Sequence, residues 1–125
     1  MNHPTELKYS KSHEWVQMTG GVARVGLTDF AQKALGDIVF LNLPEVGDSV
    51  EVEGYLGEVE SVKSVSTIYS PVAGTISAVN EELLDAPEKI NEDPYGAWIA
   101  EIEDAEGLEN LISAGEYEAF CKEEA

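Results

Sequence analysis

The amino-acid sequence predicts a mainly β chain with small α additions (α+β), folded as a β-sandwich or flattened barrel. Three observations carry that prediction. Short runs rich in Val and Ile recur at close intervals, and several alternate apolar with polar residues as a half-buried strand does. Turn signals bearing Gly or Pro separate them, at Gly20-Gly21, at 44–48 and at Pro71 and Gly74. Helical signals are confined to one stretch after the first strand pair, a short helix at most within 80–94, and the C-terminal end. The 125 residues suit a single domain over 1–125, with a core of about 7–103 and an acidic helical tail of about 104–125.

The elements follow in order. Residues 7–27 read as a strand pair, with Trp15, Val16 and Met18 before the Gly20-Gly21 turn and Val22, Val25 and Leu27 after it. Residues 28–36 read as a short helix, with Thr28 as N-cap, Asp29 in the first turn and Gly36 at the left-handed C-terminal position. Residues 38–43 form a strand, 44–48 a turn, and Val50 and Val52 begin the next strand. After the central hairpin, Pro71 and Gly74 break the return strand before 75–79. Trp98 to Ile102 alternates as a last strand. The tail is helical, with Ser113 and Glu116 at capping-box spacing and Tyr117 and Phe120 on one face.

Composition bounds the function. Hydrophobic residues make up 43% and charged ones 26%, which is globular rather than disordered. The formal charge of −18 argues against nucleic acid and against an anionic membrane surface, and no apolar run is long enough to span a membrane. The same charge keeps copies apart, so a monomer is expected, and it steers in partners with basic patches. One cysteine, Cys121, cannot form an internal disulfide; it reads as a packed side chain in a reducing compartment. The first six residues lack a basic n-region and an Arg-rich amphipathic pattern. A bacterial cytoplasmic protein is expected, or a mitochondrial matrix protein if the chain is a processed eukaryotic form.

Catalytic constellations are weak. His3 reads as part of a frayed terminus. His13 has no second histidine or cysteine near it, so no metal site is expected. His13, Glu14 and some serine make no triad without a motif such as Gly-x-Ser-x-Gly to place the nucleophile. Gly20-Gly21 and Gly54-x-x-Gly57 lack the lysine of a phosphate loop. The chain reads as an accessory protein without catalytic residues.

The informative stretch is 58–71. Val59 and Ser61 share one parity, Glu58 and Glu60 the other, as in a strand with an acidic solvent face. Residues 65–69, rich in β-branched side chains, follow at once, so a tight turn centred on Lys63-Ser64 joins two strands. Lys63 then stands alone at the tip. A nucleophilic lysine needs a dry pocket or a cationic neighbour. Lys63 has Glu58 and Glu60 beside it and no other Lys or Arg within twenty residues. It reads as a target for an acylating enzyme.

Glu60-Ser61-Val62-Lys63, followed by Tyr69-Ser70-Pro71-Val72-Ala73-Gly74 and Val79-Asn80, resembles the lipoylation site of the glycine cleavage system H protein family. Ser12-His13-Glu14-Trp15-Val16, Val25-Gly26-Leu27-Thr28, Leu35-Gly36-Asp37-Ile38-Val39, Leu43-Pro44-Glu45-Val46-Gly47, residues 91–98 and Glu116-Tyr117-Glu118-Ala119-Phe120-Cys121 agree in order, so the resemblance covers roughly residues 7–122. It implies a lipoyl/biotinyl-type β-sandwich (barrel-sandwich hybrid) carrying lipoic acid in amide linkage on Lys63. It further implies a swinging arm that shuttles the aminomethyl group of glycine from a PLP-dependent glycine decarboxylase (P protein) to a tetrahydrofolate-dependent aminomethyltransferase (T protein). Dihydrolipoyl dehydrogenase (L protein) reoxidises the arm, and a lipoate-attaching enzyme installs it.

By the same resemblance Glu60 and Gly74 match positions that lipoylating enzymes read. Ser12, Glu14 and Thr67 match a cleft where the loaded arm rests, Glu14 accepting a charge-assisted hydrogen bond from the amine. From the residues alone, Glu14 is equally the polar member of an alternating strand and Gly74 a turn residue. Similar proteins often have aspartate where Thr67 stands, which implies weaker shielding of a loaded arm here. The alternative function is an H-like lipoyl relay that hands its lipoyl group to other complexes. A biotin carrier is disfavoured, because Val62 and Ser64 flank Lys63 where methionines are typical.

Overall fold

Most of the strands have one face to bury, and two sheets close on one another to bury it. The structure, a computed structural model, describes residues 3–124. Met1 and Asn2, part of the N-terminal stretch read above, and Ala125 lie outside the described residues. In chain order the elements are β1 (Lys8–Tyr9), β2 (Glu14–Thr19), β3 (Val22–Leu27), α1 (Asp29–Leu35), β4 (Ile38–Asn42), β5 (Ser49–Val50), β6 (Tyr55–Ser61), β7 (Val65–Tyr69), β8 (Ala73–Val79), α2 (Glu82–Asp85), α3 (Lys89–Glu92), β9 (Ala100–Glu106), a 3-10 turn (Leu108–Asn110) and α4 (Ala114–Glu124). One sheet has the order β1-β2-β3-β9-β8-β5, the other β4-β6-β7, and every pairing is antiparallel.

The main core lies between the sheets. Val16, Val25, Ile76 and Ile102 come from the larger sheet and Leu41, Leu56, Val59 and Ile68 from the smaller, all essentially out of solvent. A second cluster seals one end, where α4 sets Tyr117 and Cys121 against Tyr9 and Trp15. Tyr117 stacks on Tyr9 at 4.7 Å between ring centroids, and its hydroxyl lies 2.7 Å from Thr28 Oγ1 and 2.6 Å from His13 Nδ1. His3 is not frayed: its ring meets Tyr117 edge-on and its Nδ1 lies 3.2 Å from the Tyr95 hydroxyl. Burial fixes it, because aromatic surface from three segments meets there.

The caps read from sequence form. Thr28 Oγ1 accepts from Ala31 N–H at 3.2 Å, and Gly36 closes α1 at φ +83° with its N–H donating to Gln32 O. Ser113 and Glu116 exchange both capping-box bonds. Several boundaries differ from the sequence reading. Gly74 does not break the return strand: β8 begins at Ala73 and runs through Gly74, which pairs with Val50. The strand expected from Val50 through Val52 ends at Val50, because Glu53 (φ +66°) donates to Ser70 O and the chain crosses there from the larger sheet to the smaller. The last strand begins at Ala100 and runs to Glu106, so residues 104–106 of the expected helical tail continue that strand instead, Glu106 facing Ala73 of β8 beyond a bulge. Residues 80–94 hold two single-turn helices rather than one.

Candidate functional site

The β6–β7 hairpin is in continuous register from Gly57↔Ile68 to Glu60↔Val65, with a bulge between Tyr55 and Gly57 at its far end, where Tyr55 faces Tyr69. Ser61 N–H donates to Ser64 O at 2.8 Å, which leaves Val62 and Lys63 as the two loop residues. The turn is therefore centred one residue earlier than the Lys63-Ser64 reading. The Ser61 side chain sets its shape. This serine is buried, and its Oγ accepts from the N–H groups of Lys63 and Ser64 at 3.2 Å each while donating to Ser64 O at 3.3 Å. A serine so placed satisfies the donors of a tight loop that its own strand cannot reach.

The loop is also held from behind. Val62 N–H donates to Asp37 O at 3.0 Å, tying it to the segment between α1 and β4. That segment is gripped in turn by Asn91 on α3. Asn91 Oδ1 accepts from Ile38 N–H at 2.9 Å, and its Nδ2 donates to Gly36 O at 2.9 Å and to Gln32 Oε1 at 3.0 Å. Lys63 is exposed, and its side chain runs over Gly36; a Cβ there would stand 3.1 Å from Lys63 Cε and 3.7 Å from Nζ. A residue without a side chain at 36 thus serves two ends, the φ of +83° that closes α1 and the passage of the lysine. Lys63 enters none of the ion pairs found among the described residues. The site can do one thing chemically: offer a primary amine to solvent from a fixed root.

The other predicted residues fall in three places. Glu60 is exposed on the outer face of β6, in one row with Phe40 and Val65. Gly74 lies on β8, where a Cβ would stand 2.5 Å from Glu103 O and 2.6 Å from Ile102 Cγ2, so close packing against β9 alone demands glycine. Ser12 and Glu14 meet directly. Glu14 is not a solvent-facing member of an alternating strand; it is only 1% exposed, covered where β7 passes it. Its Oε1 accepts from Ser12 Oγ at 2.5 Å and from Ser10 Oγ at 2.6 Å, and its Oε2 from Tyr69 N–H at 3.4 Å. Burial pushes the carboxyl up to about 7, against the pull of those three donors. Thr67 stands two residues before Tyr69 on β7, paired with Glu58; no hydrogen bond among the described residues links it to Glu14.

Four residues that hold the site were not singled out by sequence reasoning as doing so. Ser10 continues a Ser-x-Ser-x-Glu period that would have flagged it, and Ser61 sits where turns favour serine. Gly36 was read as a helix end only. Asn91 carries no local signal, because its partners lie more than fifty residues away. No group of His, Cys, Asp and Glu side chains able to hold a metal occurs among the described residues, and no helix is long and apolar enough to cross a membrane.

Fold and site define a class: a lipoyl-type β-sandwich that holds one lysine out on the turn of an exposed hairpin. Comparison with known proteins narrows it. The chain belongs to the glycine cleavage H-protein family, whose family model matches residues 7–124. It is 56% identical to the glycine cleavage system H protein of Halalkalibacterium halodurans, over 98% of this chain and 98% of that one. It is 53% identical to that of Acidobacterium capsulatum, over 99% and 98% respectively. The crystal structure of a glycine cleavage system H protein from Mycobacterium marinum superposes with a TM-score of 0.86 at 42% identity, covering 94% of this chain and 97% of that one.

Proposed function

We propose that this chain is the lipoyl carrier of a glycine cleavage system, with the lipoyl group amide-linked to Nζ of Lys63. One observation carries the residue assignment: an exposed primary amine on a two-residue loop that Ser61 and Asp37 hold from two sides. Membership of the glycine cleavage H-protein family carries the rest. When bound, the lipoyl group supplies a disulfide–dithiol couple that takes up and releases the aminomethyl group of glycine. The chain's own residues attach it, root it and dock. Amide formation removes the one positive charge at the tip and breaks no ion pair found among the described residues.

Glu60, exposed three residues before the lysine, is the side chain an attaching enzyme can read, while Gly74 serves the fold. Glu14, gripped by Ser10 and Ser12, suits a protonated amine, since an arriving ammonium offsets the burial that keeps the carboxyl near neutral. Ser12, in the loop before β2, borders that cleft beside Glu14, and Thr67 would meet the arm from β7. The partners are the P, T and L proteins and a lipoate-attaching enzyme, which do the chemistry; this chain is a non-catalytic monomer working beside them in the bacterial cytoplasm.

Intact-mass analysis of protein made in a lipoylating host tests the assignment. The wild type gains one lipoyl group and Lys63→Arg gains none. A wild type that stays unmodified, or a Lys63→Arg variant that is still modified, overturns it.

A further inference from the structure

Large apolar side chains on this molecule are not scattered. Of the nine that stand exposed among the described residues, six belong to the three-stranded sheet or its turn: Val39, Phe40, Tyr55, Val62, Val65 and Tyr69, each 41–68% exposed. The register explains how they come together. Phe40, Glu60 and Val65 form one row across the sheet, Asn42, Glu58 and Thr67 the next, and Tyr55 faces Tyr69 at the far end. The opposite face of the same strands supplies Leu41, Val59 and Ile68 to the core. The outer face contributes nothing to that core, so folding does not call for Phe, Val and Tyr on it. At the β4 edge it continues into a shallow groove of about 460 Å³ whose walls include Val46 and Leu84, two of the remaining three exposed apolar residues.

The charge on this face has one sign. Glu58 and Glu60 stand among the apolar groups, and Lys63 is the only Lys or Arg on the three strands and their turn. Acylation of Lys63 would leave the face apolar and acidic throughout. A second copy of the chain would meet the same carboxylates and a formal charge of −18, which repels. A surface that is apolar with basic side chains at its rim would meet both features of the face.

We propose that this face is where the carrier docks, and that its occupant is the glycine decarboxylase that loads the arm of Lys63, through an apolar patch rimmed with Arg or Lys around the mouth of its channel. The inference rests on the lipoyl-carrier reading above. Lys63 lies at one end of the face, so a protein seated on Phe40 and Val65 has the root of the arm at its border. Contacts made by the body are the same before and during the chemical step. They act as uniform binding, lowering KM for the carrier and leaving kcat alone.

The experiment uses lipoylated carrier and the glycine decarboxylase of the same organism, with carrier concentration varied and carbon dioxide release followed. Three variants are compared with wild type at equal lipoyl content by mass: Phe40→Ser with Val65→Ser, Glu58→Gln, and Leu108→Ser as an exposed apolar control off the face. The double variant is expected to raise KM about tenfold with kcat within about twofold. Glu58→Gln raises KM less and flattens its dependence on salt, and Leu108→Ser matches wild type. An unchanged KM for the double variant, with wild type active, overturns the docking face and leaves the carrier reading standing. A wild type that is never lipoylated or never turned over removes both. A dimer in sedimentation that the double variant abolishes overturns the proposal in favour of self-association.

Discussion

Replacing Asn91 by alanine deletes a clamp that touches neither Lys63 nor any residue of its hairpin. The side chain makes three hydrogen bonds, to Ile38 N–H, Gly36 O and Gln32 Oε1, all between 2.9 and 3.0 Å. Two of those partners are backbone groups flanking Asp37, whose own carbonyl holds Val62 N–H. A net hydrogen bond is worth about 0.5–1.5 kcal/mol, and a partly buried N–H left without a partner costs about 1–3 kcal/mol. The variant should therefore lose about 2–4 kcal/mol of stability, read as a lower urea midpoint with the slope unchanged. Gln32→Ala removes one of the three bonds and should lose about 1 kcal/mol. The local consequence is read by amide hydrogen exchange: protection at Val62 should fall further than at Val25, which lies in β3 and takes no part in the clamp. If Asn91→Ala costs no more than Gln32→Ala, or if Val62 and Val25 lose protection equally, Asn91 does not support the lysine loop.

Gly36→Ala tests the passage of the lysine over the helix end. Its φ of +83° alone should cost about 1–3 kcal/mol in urea unfolding. Lys63 should still be lipoylated, because a Cβ at 3.1 Å from Cε displaces only the far end of a flexible side chain. Loss of modification in a folded Gly36→Ala protein would contradict that. Glu14→Gln tests the buried carboxyl. Burial raises its folded-state value to about 7 from an ordinary 4.5, so the native protein binds the proton more tightly than the unfolded chain does. Stability from this group is fully present below pH 4.5 and is lost as pH rises through about 7. The loss is on the order of 3 kcal/mol. Over that window the wild type should lose more stability than Glu14→Gln does, the remaining carboxylates cancelling in the comparison; parallel curves would remove the claim.

What the sequence disclosed and what it withheld divide along one physical line. Thr28, Gly36, Ser113 and Glu116 were legible because a cap acts within four residues of itself. The hairpin under Lys63 was legible for the same reason, since two β-forming runs with almost nothing between them leave one solution. Glu53 was not. Its positive φ answers to Ser70, seventeen residues on, and no pattern near it announces a change of sheet. Residues 104–106 read as tail because acidic residues are poor strand formers, yet they continue β9, where the pairing of Glu106 with Ala73 of β8 outweighs that weak preference. Glu14 follows the same rule: period two gave it a solvent face, and only the approach of β7 from the other sheet shuts it in.

The site separates two requirements that a single side chain could not meet together. An amine to be acylated must be reachable and must owe nothing to the fold, or its modification would cost stability. Lys63 satisfies both, being exposed and outside every ion pair found among the described residues. Reachable groups are ordinarily mobile, and a mobile root would waste the placement that a docked body confers. The fold therefore assigns fixity to other residues. Ser61 fastens the loop from within, Asp37 from behind, and Asn91 fastens Asp37's neighbours from a third segment. Every link in that chain ends on a backbone group, so it survives whatever is attached to the nitrogen. The separation makes a specific demand: acylation of Lys63 should leave the unfolding free energy, measured in urea, within about 0.5 kcal/mol of the unmodified protein, the range of a surface change away from any structural feature.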